Sequence, residues 1–428
     1  MGDVFIVSAA RTPIGNFGGS LQNIPVARLG TLVLKAALKN AGLKPAVSDQ
    51  LRQFSPDTLK DQGMVDIEKE AFDFDGDLQP VTIDEVIMGN VIGAGQGQNV
   101  ARQAAIRAGI PKETPAYAVN MVCGSGMKAV ALAAQSILLG ENDVVLCGGM
   151  ESMSLIPYAA PSVRWGARMG NAEFVDLMAL DGLLEIFYGY HMGLTAENIA
   201  ERYGISRPAQ DELGAMSHQR ARAAIAKGWF KDEIVPVPIP QRKGDPIVFD
   251  TDERPMETSV EKMAKLPPAF KKDGTVTAGN AAGINDGAAA LLLMSEAKAA
   301  ELGIKPLARI RGWSSAALDP AYMGLTPIPA VRKILKAQNL KIGDFGAIEL
   351  NEAFAVQAIA CMRELNCSPD KTNIVGSGIS LGHPIGCTGA RMLVTLMYIM
   401  RRQGSELGLA SLCIGGGQGV AMALENVG

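Results

Sequence analysis

The feature that most restricts the fold of this chain is an internal repeat. "CGSGMKAV" (123–130) and "GCTGARML" (386–393) both open a helix-like pattern on glycine, with Gly126 matching Gly389. Downstream of each, "LCGGM" (146–150) and "LCIGGG" (412–417) put a cysteine and then glycines at the end of an apolar run. The surrounding elements agree in order. "VFIVSA" (4–9), "IDEVIMGNV" (83–91), "AYAVNMV" (116–122) and "DVVLCGGM" (143–150) read as strands. So do "PLARIRGWSS" (306–315), "FGAIELNEAF" (345–354), "TNIVGSG" (372–378) and "LASLCIGGGQGVAMALE" (409–425). "GMKAVALAAQSILLG" (126–140) carries apolar residues at helical spacing and stops at Gly140. Alternating strands and helices predict an α/β protein with a mostly parallel, helix-covered sheet, built as a duplicated half.

Two regions stand outside the repeat. Residues 152–274 are dense in Pro, Gly and charge and read as a long insertion covering a site. Residues 45–80 carry nine Asp/Glu against three Lys/Arg with weak periodicity, and read as a partly mobile surface excursion. The expected division is therefore 1–151 with 275–298 as one half, 152–274 as the insertion, and 299–428 as the other half.

Composition narrows the function. A net charge of −4 with no basic block argues against nucleic acid, and no apolar run approaches a membrane span. "MGDVFIVSAARTP" begins directly as a strand, with no secretion-signal pattern, and the end "ENVG" is no peroxisomal address, so the cytoplasm is expected. The six cysteines form no CxxC pair. Free thiols and no metal site are expected.

Cys123 sits between an apolar run and a Gly-Ser-Gly turn. It reads either as a small buried residue beside a turn or as a nucleophile. At a helix N-terminus the partial positive charge lowers a thiol pKa, and Gly124 and Gly126 let another chain or a ligand approach. His383, one of only three histidines, lies in the equivalent loop of the second half, "GHPIGCTGARM" (382–392). It reads as a turn residue or as the base of a Cys/His pair. Asn351 in "NEAFA" is a helix cap or a group that positions a water or an oxyanion. In "CIGGGQG", Cys413 precedes free glycine N–H groups.

Taken together, "VCGSGMKAV", "NEAFAVQ", "GHPIGCTGAR" and "CIGGGQGVAM" resemble the four catalytic blocks of the thiolases, in order. "VSAARTPIG", "GGMESMS" and "TAGNAAGINDGAAA" also resemble signatures of that family, and only residues 45–80 fall outside the likeness. The resemblance implies duplicated βαβαβαββ halves in an α-β-α-β-α core, with 152–274 as a coenzyme A-binding loop domain. It implies an acyl-CoA C-acyltransferase with no prosthetic cofactor, acting on acyl-CoA thioesters as a homodimer or homotetramer. Cys123 would carry the acyl group and His383 would activate it. Cys413 would be the acid/base, with a pKa near neutrality. Asn351 would hold a water beside His383, and the N–H groups of Cys123 and Gly415 would form an oxyanion hole. His191, Met192, Ala353 and Phe354 would line the substrate pocket.

Three departures stand out. Ala282 occupies a usual Ser position against the pantetheine arm. Arg254 and Met256 occupy usual His and Arg positions near the adenine. Ser377 and Ser380 replace Gly and Ala and would alter the pocket wall. The "HMG" tripeptide resembles the biosynthetic branch, which makes or cleaves acetoacetyl-CoA. A broader or specialised 3-ketoacyl-CoA thiolase is the alternative. A ketoacyl synthase would want a second histidine where Cys413 stands, and a non-catalytic homologue would have lost a block.

Overall fold

The computed structural model describes residues 2–428. Nine strands form the body of one sheet: β1 (Val4–Arg11), β2 (Glu85–Gly89), β3 (Ala116–Val119), β4 (Val144–Ser152), β5 (Asn285–Ser295), β6 (Ala308–Ala317), β7 (Ala347–Leu350), β8 (Leu407–Ile414) and β9 (Gln418–Asn426). Their order is β7-β8-β9-β6-β1-β5-β4-β2-β3, and the two-residue strand Gly15–Asn16 pairs with β5. Read outward from the β1–β6 seam, the two halves repeat one topology. β1-β5-β4-β2-β3 is matched by β6-β9-β8-β7, then by a parallel bridge between Ile348 and Thr372. The seam itself pairs only Phe5 with Arg309 and Ile6 with Ala308.

The sheet is mixed, not mostly parallel. β2 runs parallel to β3 and β4, and β7 to β8, whereas β1, β5, β6 and β9 pair antiparallel with all their neighbours. The reason is local in the second half. Residues 409–425, expected as one strand, turn back at Gly415–Gly417, and Ile414 pairs with Gln418. Gly416 and Gly417 have φ of 78° and 75°, a left-handed conformation that glycine adopts without penalty. Residues 372–378, also expected as a strand, contribute only isolated bridges.

Helices α1 (Val26–Asn40) and α2 (Val100–Arg107) cover one face of the first half. Helix α3 (Ser125–Leu138) is its inner helix. In the loop region lie α4 (Met192–Tyr203) and α5 (Arg207–Ala226). The second half adds α6 (Pro327–Gln338) and α7 (Ala355–Leu365) outside and α8 (Ile385–Gln403) inside. Side-chain alternation along the strands separates three cores. Val144 and Leu146 pack under α1 and α2, while Val145 and Cys147 join α3, α8, Ala410 and Leu412 in a central core. Leu409 and Cys413 pack under α6 and α7. The layers are thus α-β-α-β-α, and period-2 burial on both strand faces makes them so.

The two inner helices cross at the glycines that reveal the repeat. A Cβ on Gly126 would lie 2.8 Å from the Ala390 nitrogen, and one on Gly389 would lie 2.6 Å from the Met127 nitrogen. Gly126 therefore admits the partner helix rather than a ligand.

Residues 45–80 are docked rather than loose. Leu43–Pro45 pairs in parallel with Gln79–Val81, so the excursion starts and ends at one place. Within it, the buried Glu68 accepts N–H bonds from Val65 (2.7 Å) and Lys112 (2.5 Å). Lys35 of α1 donates to the Ala71 carbonyl, and both Lys35 and Lys39 lie over the Phe74 ring. The segment precedes β2, at the strand end opposite the one that leads into Cys123.

Candidate active site

The nucleophile candidate sits on a strained turn. Cys123 immediately precedes Gly124, the N-cap of α3. Val122 before it has φ of 45°. A β-branched residue there is an outlier worth about 1–3 kcal/mol of strain, held only by strong surroundings. Those surroundings are Asn120 and Ser125. Asn120 Oδ1 accepts from Val122 N (2.9 Å), while Ser125 Oγ accepts from Met121 N (2.8 Å) and donates to the Val122 carbonyl (2.6 Å).

His383 is set by its equivalent loop. Its N–H donates to Asn285 Oδ1 (2.9 Å). The buried Glu151, a lone acid at the end of apolar β4, accepts from Gly386 N (2.9 Å) and Val91 N (2.9 Å), pinning the start of α8. His383 Nδ1 lies 2.7 Å from Thr388 Oγ1, which donates to the Pro384 carbonyl (2.9 Å). With the single Thr388 hydrogen assigned to that carbonyl, Nδ1 carries the imidazole proton and Nε2 keeps a free lone pair. Burial, helped by Arg391, pushes the imidazole down to about 3, so it is neutral.

Cys123, His383 and Cys413 border one cavity of about 300 Å³, which His191, Met192, Ala282, Ala353 and Phe354 also line. The backbone N–H groups of Gly415 and of Cys123 itself act on the Cys123 sulfur and draw its pKa down. Phe270, absent from the sequence reading, stacks on His191 at 4.6 Å and meets Phe354 edge-on at 6.2 Å. His191 Nδ1 caps α4 by accepting Gly193 N (3.0 Å), and burial lowers its pKa. Ala282 N donates to the Ala353 carbonyl (2.9 Å), which ties the two pocket strips together.

Several expectations fail on burial. The helix terminus does not leave Cys123 acidic: burial pushes the thiol up to about 11, against the opposing pull of the two N–H groups. Cys413 is also raised well above the usual thiol range, by burial and by its closeness to Cys123, so it is no near-neutral base at rest. Arg254 does not border the cavity. Its guanidinium turns inward, donating from Nε to the Ile379 carbonyl (2.6 Å) and from Nη2 to the Ala281 carbonyl (3.2 Å). Met256 is half exposed on an outer groove. Ser380 Oγ meets Ser217 Oγ (2.8 Å), which donates to the buried Glu352, so it faces α5 and not the pocket. Ser377 is also buried away from the cavity, with no partner for its hydroxyl. Asn351 lies behind the lining, fully buried, and neither side-chain polar atom has a protein partner.

A duplicated α/β fold with a thiol heading one central helix and an imidazole heading its counterpart defines the class of protein to which the chain should be compared. The chain belongs to the thiolase family. The thiolase N-terminal domain matches residues 4–53 and 57–297, and the thiolase C-terminal domain matches residues 304–426. It is 51% identical over 424 residues to an acetyl-CoA acetyltransferase of Chromobacterium violaceum, covering 99% of both chains. It is 50% identical over 423 residues to a probable acetyl-CoA acyltransferase of Staphylococcus aureus, covering 99% of this chain and 98% of that one. The crystal structure of the Bacillus anthracis acetyl-CoA acetyltransferase superposes with a TM-score of 0.88 at 43% identity, covering 100% of this chain and 99% of that one.

Proposed function

We propose that the chain is an acetyl-CoA C-acetyltransferase that condenses two acetyl-CoA to acetoacetyl-CoA and coenzyme A, and catalyses the reverse thiolysis, through an acetyl-Cys123 intermediate. One observation carries the reading: two thiols and a neutral imidazole border one largely apolar cavity, in a chain half identical over its length to acetyl-CoA acetyltransferases. The raised thiol pKa values suit a resting state with no buried charge. His383 Nε2 takes the Cys123 proton as the sulfur attacks the acetyl carbonyl. The bond to coenzyme A sulfur breaks, and Cys413 protonates that leaving thiolate. Cys413, now ionised, removes an α-proton from the second acetyl-CoA. The resulting carbanion attacks the Cys123 thioester, Cys123 sulfur departs, and the His383 imidazolium returns its proton. The Gly415 and Cys123 N–H groups hold the thioester oxygen, and a water held by Asn351 beside His383 serves the enolate.

In this reading residues 152–274 act as the coenzyme A-binding loop domain, with the half boundaries given above. His191, Met192, Ala282, Ala353 and Phe354 meet the pantetheine and acyl portions; Arg254 supports their wall from behind. No prosthetic group is needed, because a side chain carries the acyl group. Six unpaired cysteines suit a reducing cytoplasm. The exposed Trp165, Met169 and Phe174 suit self-association as a homodimer or homotetramer in fatty acid metabolism.

Labelled acetyl-CoA followed by peptide mapping tests the role of Cys123: label is expected on its peptide, and label on Cys413 instead would reverse the two assignments. A wider acyl range is the second reading, supported by the broader acyltransferase name of the Staphylococcus relatives. Thiolysis rates across 3-ketoacyl-CoAs of rising length decide between the two.

A further inference from the structure

Between β4 and β5 a short hairpin pairs Leu184 with His191 and Glu185 with Tyr190. Its base lines the cavity through Gly182, Leu183 and His191, while Ile186, Phe187 and Tyr188 at its tip are exposed. Glu185 does not follow the tip into solvent. It is fully buried, and its carboxylate accepts from Phe187 N (2.9 Å) and Gly416 N (3.2 Å). Gly416 belongs to the turn between β8 and β9, whose preceding residue, Gly415, abuts Val122 beside Cys123, where its N–H draws the thiol pKa down. On its other side the turn is held by Leu318 N, which donates to the Gly417 carbonyl (2.7 Å). Glycine leaves such a turn free to take other shapes, and these contacts restrict it. Glu185 is the one ionisable side chain hydrogen-bonded to this turn among the described residues.

We propose that Glu185 is a positioning residue for the acyl-transfer step: it locks the Gly415–Gly417 turn so that the Gly415 N–H stays aimed at the Cys123 sulfur and thioester, and it couples that aim to the hairpin over the cavity. The inference rests on the acetyl-Cys123 reading above. The carboxylate suits the task for a simple reason. Phe187 N–H and Gly416 N–H each meet one oxygen of the carboxylate, and a charged acceptor makes the stronger bond. An amide at position 185 would offer one acceptor and turn a donor against the other N–H. The turn would then relax, and the neighbouring N–H would lose its line to sulfur. A misplacement of about 1 Å at such a donor costs up to about a hundred-fold in rate.

The test compares wild type, Glu185→Gln and Glu185→Asp. Glu185→Gln is expected to lower kcat for acetoacetyl-CoA thiolysis about ten- to hundred-fold, with KM for coenzyme A within about two-fold. Iodoacetamide alkylation of Cys123, followed by peptide mapping, is expected to slow about ten-fold at each pH below the thiol pKa, because the thiolate loses a charge-assisted bond. Glu151, His383 and Cys413 are the other ionisable groups around that sulfur, and none is altered. Glu185→Asp keeps both acceptors on a shorter stem and should fall between the other two in both readouts. It also carries the test if the Gln enzyme does not fold. Loss confined to KM, or an alkylation profile unchanged in both variants, would overturn the proposal. Acetyl labelling of wild-type Cys123 separates it from its parent: an unlabelled Cys123 brings down both readings, whereas a labelled one with indifferent variants brings down only this one.

Discussion

Thr388 offers the sharpest check on how the imidazole is prepared. Its hydroxyl stands between His383 Nδ1 (2.7 Å) and the Pro384 carbonyl (2.9 Å), and it is fully buried. Thr388→Val keeps the shape and removes the acceptor for the Nδ1 proton. That buried N–H then stands unpaired, at a cost of about 1–3 kcal/mol. The imidazole escapes by moving its proton to Nε2, the nitrogen that should accept from Cys123. With 1.4 kcal/mol per decade, the useful tautomer falls about 5- to 150-fold, and kcat for thiolysis should fall by the same factor. KM should change little, since Thr388 does not line the cavity. Thr388→Ser keeps the hydroxyl and should restore most of the rate. Steady-state thiolysis with thermal denaturation alongside gives both numbers. A Val enzyme with wild-type kcat, or a Ser enzyme as slow as the Val one at equal stability, would refute the tautomer argument.

Alkylation of Cys123 should climb about ten-fold per pH unit from pH 7 to 10, because a thiol raised to about 11 ionises only above that range; a plateau near pH 8 on mapped Cys123 peptide would contradict it. Ala282→Ser should tighten coenzyme A binding about two- to twelve-fold without changing chain-length preference, since one neutral hydrogen bond is worth about 0.5–1.5 kcal/mol; Michaelis constants for four- and six-carbon 3-ketoacyl-CoAs decide. Replacing residues 46–78 by a short Gly/Ser loop should leave kcat within a few-fold, because Pro45 and Val81 are already strand partners; a collapse of kcat with an intact fold would speak against it. Arg11→Ala should cost about 3–5 kcal/mol in denaturant melts, because it strands the buried carboxylates of Asp252 and Glu233, bonded at 2.8 and 2.6 Å; a loss under 1 kcal/mol would mean the carboxylates find other partners.

Most of the architecture was legible because it is repeated. Matching glycines at 126 and 389, with like strands around them, implied two equal halves, and the strand order of each half agrees. The segments expected at 126–140 and 143–150 became α3 and β4 nearly unchanged, since periodicity is a property of neighbours in sequence. Strand direction was not legible. Residues 409–425 are mostly apolar, and only the glycine-rich stretch at 415–419 hints that the run doubles back.

The sequence alone singled out the side chains proposed to do the chemistry: Cys123 and His383 stand in loops that the repeat makes equivalent, and Cys413 lies at the end of β8, just before the glycine turn. It could not determine their proton states. Those depend on how completely the two halves exclude water, and burial reverses the expected acidity of Cys123 and Cys413. Nor could it identify the residues that aim the site. Asn120 and Ser125 act across one turn, but Glu151, Asn285 and Glu185 act across the fold, with Glu185 reaching Gly416 from 231 positions away. Hydrogen bonds of that span leave no periodic trace in a sequence, because only the packed tertiary structure brings donor and acceptor within hydrogen-bonding distance.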